Sequence, residues 1–172
     1  MDPKRELLNH FLAALAYRTQ KALRDAPDEF GSFQPQADVR SPKELVRHMT
    51  SVLGYARTYF IGGSYWPDAL ETLQNEIIRF HEMLEGLSSH LTSGTPLLNG
   101  MTEEQLLQGP FSDAMTHAGQ LAMLRRFAGA PVPPENFIVA NIQPANLSPD
   151  RPAPAAPDEV WPEAPASWKP KS

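Results

Sequence analysis

The sequence contains no cysteine, which excludes disulfide bonds, thiolate nucleophiles and cysteine-ligated zinc sites. Any metal ion would therefore have to be held by histidine, aspartate or glutamate. Long hydrophobic runs are also missing, and the first six residues are mostly polar. We therefore expect neither a signal peptide nor a membrane-spanning helix, and we interpret the chain as cytoplasmic.

Positive charge is scarce as well. The chain has 15 Lys and Arg against 20 Asp and Glu, a formal net charge of −5, and its basic residues are scattered. A nucleic-acid-binding surface usually neutralises phosphates with clustered basic residues, so we expect no nucleic-acid partner. Glycine-rich phosphate loops and a G-x-S-x-G motif are also absent, which argues against nucleotide hydrolysis and serine hydrolysis.

The first three quarters of the chain has the pattern of an all-α protein. Apolar residues at helical spacing predict four long amphipathic helices, at about residues 3–25, 42–60, 67–91 and 111–128. Ser41 with Glu44, and Thr102 with Gln105, form capping-box patterns, the second of which begins a short helix that Gly109 and Pro110 should interrupt. Four such helices with short connections predict a four-helix bundle at residues 1–130.

The composition changes after residue 130. Eleven of the 18 prolines lie beyond that point, so residues 131–172 are predicted to form an extended, proline-rich tail. Its aromatic and apolar side chains, Phe137, Ile138, Trp161 and Trp168, suggest anchors that pack on the bundle or on a second copy of the chain. The alternative is a disordered tail.

Three polar residues share the predicted inward faces of two helices. His48 lies one turn after Leu45 on the second helix, and His117 lies on the apolar stripe of the last helix with Asp113 one turn before it. A carboxylate in an apolar interior is costly unless a cation neutralises it. We therefore predict that His48, Asp113 and His117 bind one divalent metal ion. His81 remains open as a further ligand.

Each of these residues also has an ordinary structural explanation. A single buried histidine is more often a hydrogen-bonded core residue than a metal ligand. Asp113 is equally explained by the dipole at the beginning of a helix. Only the combination favours a metal site, and these residues assign no catalytic role.

The segments around the two histidines resemble the DinB/YfiT-like family of helical-bundle metalloproteins, over about residues 1–130. They are Leu-Val-Arg-His at residues 45–48 and Asp-Ala-Met-Thr-His-Ala-Gly-Gln-Leu at residues 113–121. That family has one metal-binding histidine on its second helix, and a His-x-x-x-His pair followed by Gly-Gln on its fourth. His48, His117 and the Gly119-Gln120 pair match this pattern, whereas Asp113 stands where a histidine is usual.

The resemblance implies a metal-dependent enzyme, either a hydrolase or a transferase that uses low-molecular-weight thiols. Its cofactor would be one divalent ion (Zn, Ni or Mn), its partner a small-molecule substrate, and its assembly a homodimer. Asp113 makes the ligand set harder and more negative, which changes the preferred metal or marks a site that has been lost. The alternative function is a non-catalytic stress-response or small-ligand-binding bundle with a vestigial metal site.

Overall fold

The computed structural model describes residues 2–150, which form helices and turns without a β-strand. The helices are α1 (Pro3–Leu23), α2 (Pro42–Ile61), α3 (Leu73–Thr92), α4 (Glu103–Leu106) and α5 (Ser112–Phe127). The predicted all-α class with four long helices is therefore confirmed. In the described part of the chain, none of the helices has the length and apolar character needed to cross a bilayer.

The predicted helix starts at residues 3, 42 and 103 are confirmed, and side-chain caps explain them. Asp2 accepts a hydrogen bond from the Lys4 amide at 2.8 Å, and Pro3 follows in the first turn of α1. The Ser41 amide donates to Glu44 Oε2 at 2.8 Å, completing the capping box of α2. These bonds satisfy amides that have no partner within the helix.

The predicted start of the third helix is wrong. Residues 67–72 lie outside α3, because Thr72 caps the helix by accepting a hydrogen bond from the Asn75 amide. The Leu70 amide donates instead to Glu76 Oε1 at 2.9 Å, and the buried Glu76 also pairs with Arg79. An apolar residue at helical spacing, Leu70, was therefore not sufficient evidence for helix.

The expected interruption at Gly109-Pro110 is present as a break in the regular α-helix, because α4 ends at Leu106 and α5 begins at Ser112. The chain stays helical from α4 to α5 through a wide π-helical turn, Leu107–Phe111, which contains Pro110. Proline lacks the amide hydrogen needed for a regular helical bond, and the wider turn accommodates it. Ser112 Oγ donates to the Leu107 carbonyl at 2.6 Å. Asp113 and His117 follow directly in α5.

The packing order of the helices differs from their order in the sequence. Both α1 and α2 pack against α3 and α5, so α2 is a neighbour of α5. The core between them is formed by aliphatic and aromatic side chains, including Leu12, Leu15, Met49, Leu53, Phe80, Leu84, Phe111 and Leu121. The α2–α5 contact brings the two histidine-bearing helices together.

The described residues after α5 belong to two compact units. Residues 142–150 belong to the same unit as the helices, and Leu147, only 5% exposed, joins its core. Residues 133–141 belong to the second unit, where Ile138 is 89% exposed, and its role as an anchor on the bundle or on a second copy stays a prediction. Phe137 is partly buried, and Trp161 and Trp168, the remaining predicted anchors, lie outside the described residues.

Candidate metal centre

His48 lies at the edge of the buried face of α2. The centre of that face is formed by Leu45, Met49 and Leu53, which are buried, whereas His48 is only partly covered. His117 is buried on α5. The imidazole of His48 therefore lies at the margin of the bundle, and that of His117 lies beneath the surface.

The expectation that all three groups point into an apolar interior is wrong for Asp113. Its side chain is 50% exposed, so the group lies where the bundle meets solvent. A half-exposed carboxylate remains hydrated and carries little of the cost of an unpaired buried charge. The energetic cost of a buried carboxylate therefore does not support a metal site here. The support for the site comes from the geometry of the three residues.

The structure brings His48, Asp113 and His117 together. One ligand-type atom from each residue lies within 4.8 Å of the other two. The two imidazole ring centres are 4.7 Å apart in an edge-to-face arrangement. His117 Nε2 lies 3.3 Å from Asp113 Oδ1.

Gln120 determines which nitrogen of His117 is available. His117 Nδ1 lies 2.8 Å from Gln120 Oε1, and because an amide oxygen can only accept, Nδ1 must donate its hydrogen. In the neutral ring, Nε2 then carries an electron pair. Metal-binding histidines commonly have this kind of acceptor on the other ring nitrogen, which holds the ring in orientation.

The contact between His117 Nε2 and Asp113 Oδ1 requires a positive species between two electron-pair donors. Either a proton on Nε2 or a shared cation can supply it. Two ligand atoms each about 2.1 Å from one ion at a tetrahedral angle lie about 3.4 Å apart. The observed 3.3 Å matches that spacing, so this pair of residues fits a metal ion.

The electrostatic surroundings keep His48 neutral. Burial lowers the pKa of His48 below its usual value, and the positive charge of Arg40 and the neighbouring His117 lower it further, while Asp113 acts in the opposite direction. The ring is therefore deprotonated at pH 7, which is the form that binds metal.

Two cavities lie beside this group. One, of about 410 Å³, is lined by His48 together with Arg40 and Arg47. The other, of about 840 Å³, is lined by Asp113 and by aromatic residues such as Tyr55 and Tyr65. Ser51 and Trp66 line both cavities, so small molecules can approach the group from two sides.

His81, left open as a ligand, lies elsewhere. It is buried on α3, and its Nδ1 donates to the Leu147 carbonyl at 2.6 Å, which makes it a structural residue of the core. Sequence reasoning missed the role of Gln120, although its position three residues after His117 on one helix was a usable signal. It also missed Arg40 and Arg47, although Arg47 directly precedes His48 and Arg40 lies close before it in the sequence.

Gly54 leaves room on α2 for the ring of Tyr65, which lies in the loop after the helix. A Cβ atom at this position would overlap the ring of Tyr65, which packs directly on the helix backbone. The Arg57 guanidinium lies over the same ring, 5.5 Å from its centre. Tyr65 is thereby held where it lines the cavity that contains Asp113.

Replacing Gly54 by alanine is expected to displace Tyr65 and destabilise the protein by about 1–3 kcal/mol, since an added methyl group has no space. Gly86, within α3, is the matched control because nothing lies within 4 Å of a Cβ built there. Gly86→Ala should stabilise by about 0.5–1 kcal/mol through helix propensity alone. Thermal unfolding of both variants tests this, and equal shifts would contradict the packing argument.

Comparison with protein-family models, with characterised proteins and with solved structures gave no match for this chain. The DinB/YfiT-like resemblance therefore rests on the short segments around His48 and His117 alone. The interpretation of the site depends on its geometry.

Proposed function

We propose that this chain is a metal-dependent enzyme of the DinB/YfiT-like type, in which His48, Asp113 and His117 hold one divalent cation. It would act as a hydrolase or as a transferase that uses low-molecular-weight thiols. The observation that carries the proposal is the convergence of His117 Nε2 and Asp113 Oδ1, two electron-pair donors 3.3 Å apart. The proximity of His48, whose lowered pKa keeps it neutral, completes the ligand set.

The chemistry of the donors suits a first-row divalent ion. Two imidazole nitrogens and one carboxylate oxygen bind Zn²⁺, Ni²⁺ or Mn²⁺, and three protein ligands leave positions open. A bound ion would supply Lewis acidity, lowering the pKa of a water molecule or thiol so that it attacks at neutral pH.

The residues of the chain have separate tasks in this proposal. Gln120 orients His117 by accepting from its Nδ1. Asp113 is half-exposed and lines the larger cavity, so its carboxylate is accessible to take the proton that the attacking water or thiol gives up. The chain has no cysteine, so a thiol nucleophile must enter as a cosubstrate.

The competing candidate is a non-catalytic bundle, either a stress-response or a small-ligand-binding protein. The same 3.3 Å contact favours it if His117 is protonated, because the pair is then an ordinary ion pair one turn apart on α5. The two candidates differ in metal content. Protein purified without a histidine tag should contain about one equivalent of metal if the site is intact.

Turnover tests the proposal directly. We expect slow hydrolysis of a p-nitrophenyl ester, or transfer of cysteine or glutathione to an electrophilic aryl halide, that EDTA abolishes and Zn²⁺, Ni²⁺ or Mn²⁺ restores. Gln120→Ala should reduce metal affinity about 10–100-fold, because the His117 ring loses the acceptor that orients it. Gln74→Ala, at an exposed position on α3, is the control and should behave like the parent.

Two results would contradict the enzyme proposal. Purified protein that retains no metal and gains no stability from added metal favours the non-catalytic bundle. Metal binding at full stoichiometry with no metal-dependent turnover of either substrate class leads to the same conclusion.

A further inference from the structure

Four charged side chains line the cavity beside His48, and they differ in whether they already have hydrogen-bond partners. They are Asp38, Arg40, Glu44 and Arg47. Glu44 is engaged in the capping box, where its Oε2 accepts from the Ser41 amide at 2.8 Å and from Ser41 Oγ at 3.0 Å. Among residues 2–150, no hydrogen bond or ion pair engages the side chains of Arg40 and Arg47, although the charge of Arg47 helps to lower the pKa of Glu44. Asp38, the fourth, lies exposed two residues before Arg40.

Both arginines line the cavity beside the candidate metal centre. Arg47 directly precedes His48 on α2 and lines the same cavity, and the charge of Arg40 contributes to lowering the pKa of His48. The cavity shares Ser51 and Trp66 with the one that contains Asp113. A molecule seated against the arginines therefore lies beside His48 and next to the cavity that Asp113 lines.

We propose that this arginine cavity, defined by Arg40, Arg47 and His48, binds a carboxylate or phosphate group of the molecule that reacts at the metal centre. The proposal rests on the function proposed above and adds a substrate class, a small anionic compound. Guanidinium groups match the oxygens of carboxylates and phosphates with two parallel hydrogen bonds. The 410 Å³ volume accommodates a small molecule, and anchoring one end directs the other towards the reacting position.

The first measurement uses the full chain without metal. Inorganic phosphate and acetate are titrated separately while the His48 and Arg47 side-chain resonances are followed by NMR. We expect saturable shifts at millimolar anion, weakened at least about fivefold in the Arg40→Gln, Arg47→Gln double variant, since each charge-assisted bond contributes to affinity. The anion that binds more tightly distinguishes a phosphate from a carboxylate substrate.

Asp38→Asn is the matched control because it removes a charge of opposite sign from the same cavity. It should leave anion binding unchanged or strengthen it. Shifts that do not saturate, or that persist equally in the double arginine variant, would overturn the anion site.

The second measurement connects the cavity to the metal centre. Protein loaded with Co²⁺ is titrated with 3-mercaptopropionate and with neutral 3-mercapto-1-propanol, and the thiolate–cobalt absorption band reports binding. We expect the acid to bind about tenfold more tightly in the parent and about equally in the double arginine variant.

The outcomes separate the two proposals. Equal affinities of both thiols in the parent overturn the inference that the anion site serves the metal centre. If Co²⁺ does not bind while anions still saturate the cavity in the first measurement, the proposed metal-dependent function fails and the substrate assignment fails with it, but the anion site itself stands.

Discussion

Removing both imidazoles, in the His48→Ala, His117→Ala double variant, is expected to abolish the gain in melting temperature that added Zn²⁺ gives the parent. An ion that binds only the folded chain stabilises it by about 2.7 kcal/mol at a metal concentration about 100 times its dissociation constant. For a domain of this size that corresponds to roughly 5–10 °C. Differential scanning calorimetry with and without metal measures it.

The chelator experiment is the control. EDTA at pH 7 should lower the melting temperature of the metal-loaded parent and leave that of the double variant unchanged. Asp113→Ala should weaken metal retention while changing the stability of the metal-free protein little, since the carboxylate is half-exposed. If parent and double variant respond alike to EDTA, the metal-centre interpretation is wrong.

The stability of the protein, with and without metal, should also depend on pH in a defined direction. The pKa of His48 in the folded protein is lowered by burial, by Arg40 and by His117, so the unfolded chain binds a proton first on acidification. The stability that depends on neutral His48 is thus present above about pH 6.5 and is lost as pH falls through the lowered folded-state pKa. Metal binding, which expels protons, should be lost over the same range. The melting temperature of the metal-loaded parent should therefore fall more steeply with decreasing pH than that of the His48→Ala, His117→Ala double variant.

Replacing Arg125 by alanine is expected to destabilise the protein by about 2–4 kcal/mol, because hydrogen bonds from a charged group contribute more than neutral ones. Arg125 is buried near the end of α5, and its guanidinium donates to the carbonyls of Arg24 at 2.9 Å and Ala22 at 3.3 Å. Its Nε also donates to the Ala130 carbonyl at 2.8 Å. One side chain thus satisfies carbonyls at the end of α1 and after α5.

The neighbouring residue Arg126 is the matched control because it is exposed. Arg126→Ala should change stability by less than about 1 kcal/mol. Arg125→Lys should recover little of the stability lost in Arg125→Ala, since a single ammonium group cannot reach all the carbonyls that the guanidinium nitrogens contact. Urea unfolding measures all three variants. Equal losses for Arg125→Ala and Arg126→Ala would show that the bonds to α1 contribute nothing.

Local signals explain why much of the helical framework was predictable. Asp2, Ser41 and Thr102 cap helices through bonds to residues two or three positions along the chain, and such bonds depend on sequence neighbours alone. Predictions failed where two local rules competed. Leu70 had helical spacing, but the cap at Thr72 determined where α3 begins.

The proximity of the candidate ligands was also partly predictable from local sequence. Asp113 and His117 are one turn apart on α5, so their proximity follows from helical geometry. Gln120 lies one turn further on, and its bond to His117 follows from the same spacing. The sequence alone was therefore sufficient to propose a pair of ligands on the last long helix.

Only the tertiary structure decided the rest. The pattern of apolar residues determines that helices pack, but not which helices become neighbours, and the α2–α5 contact is what brings His48 to His117. The same packing sets exposure, placing Asp113 at the solvent edge and not in the apolar interior. Trp66 and Pro67, from the segment after α2, line the same cavity as Arg40, Arg47 and His48. These features depend on contacts between distant segments, which local periodicity does not encode.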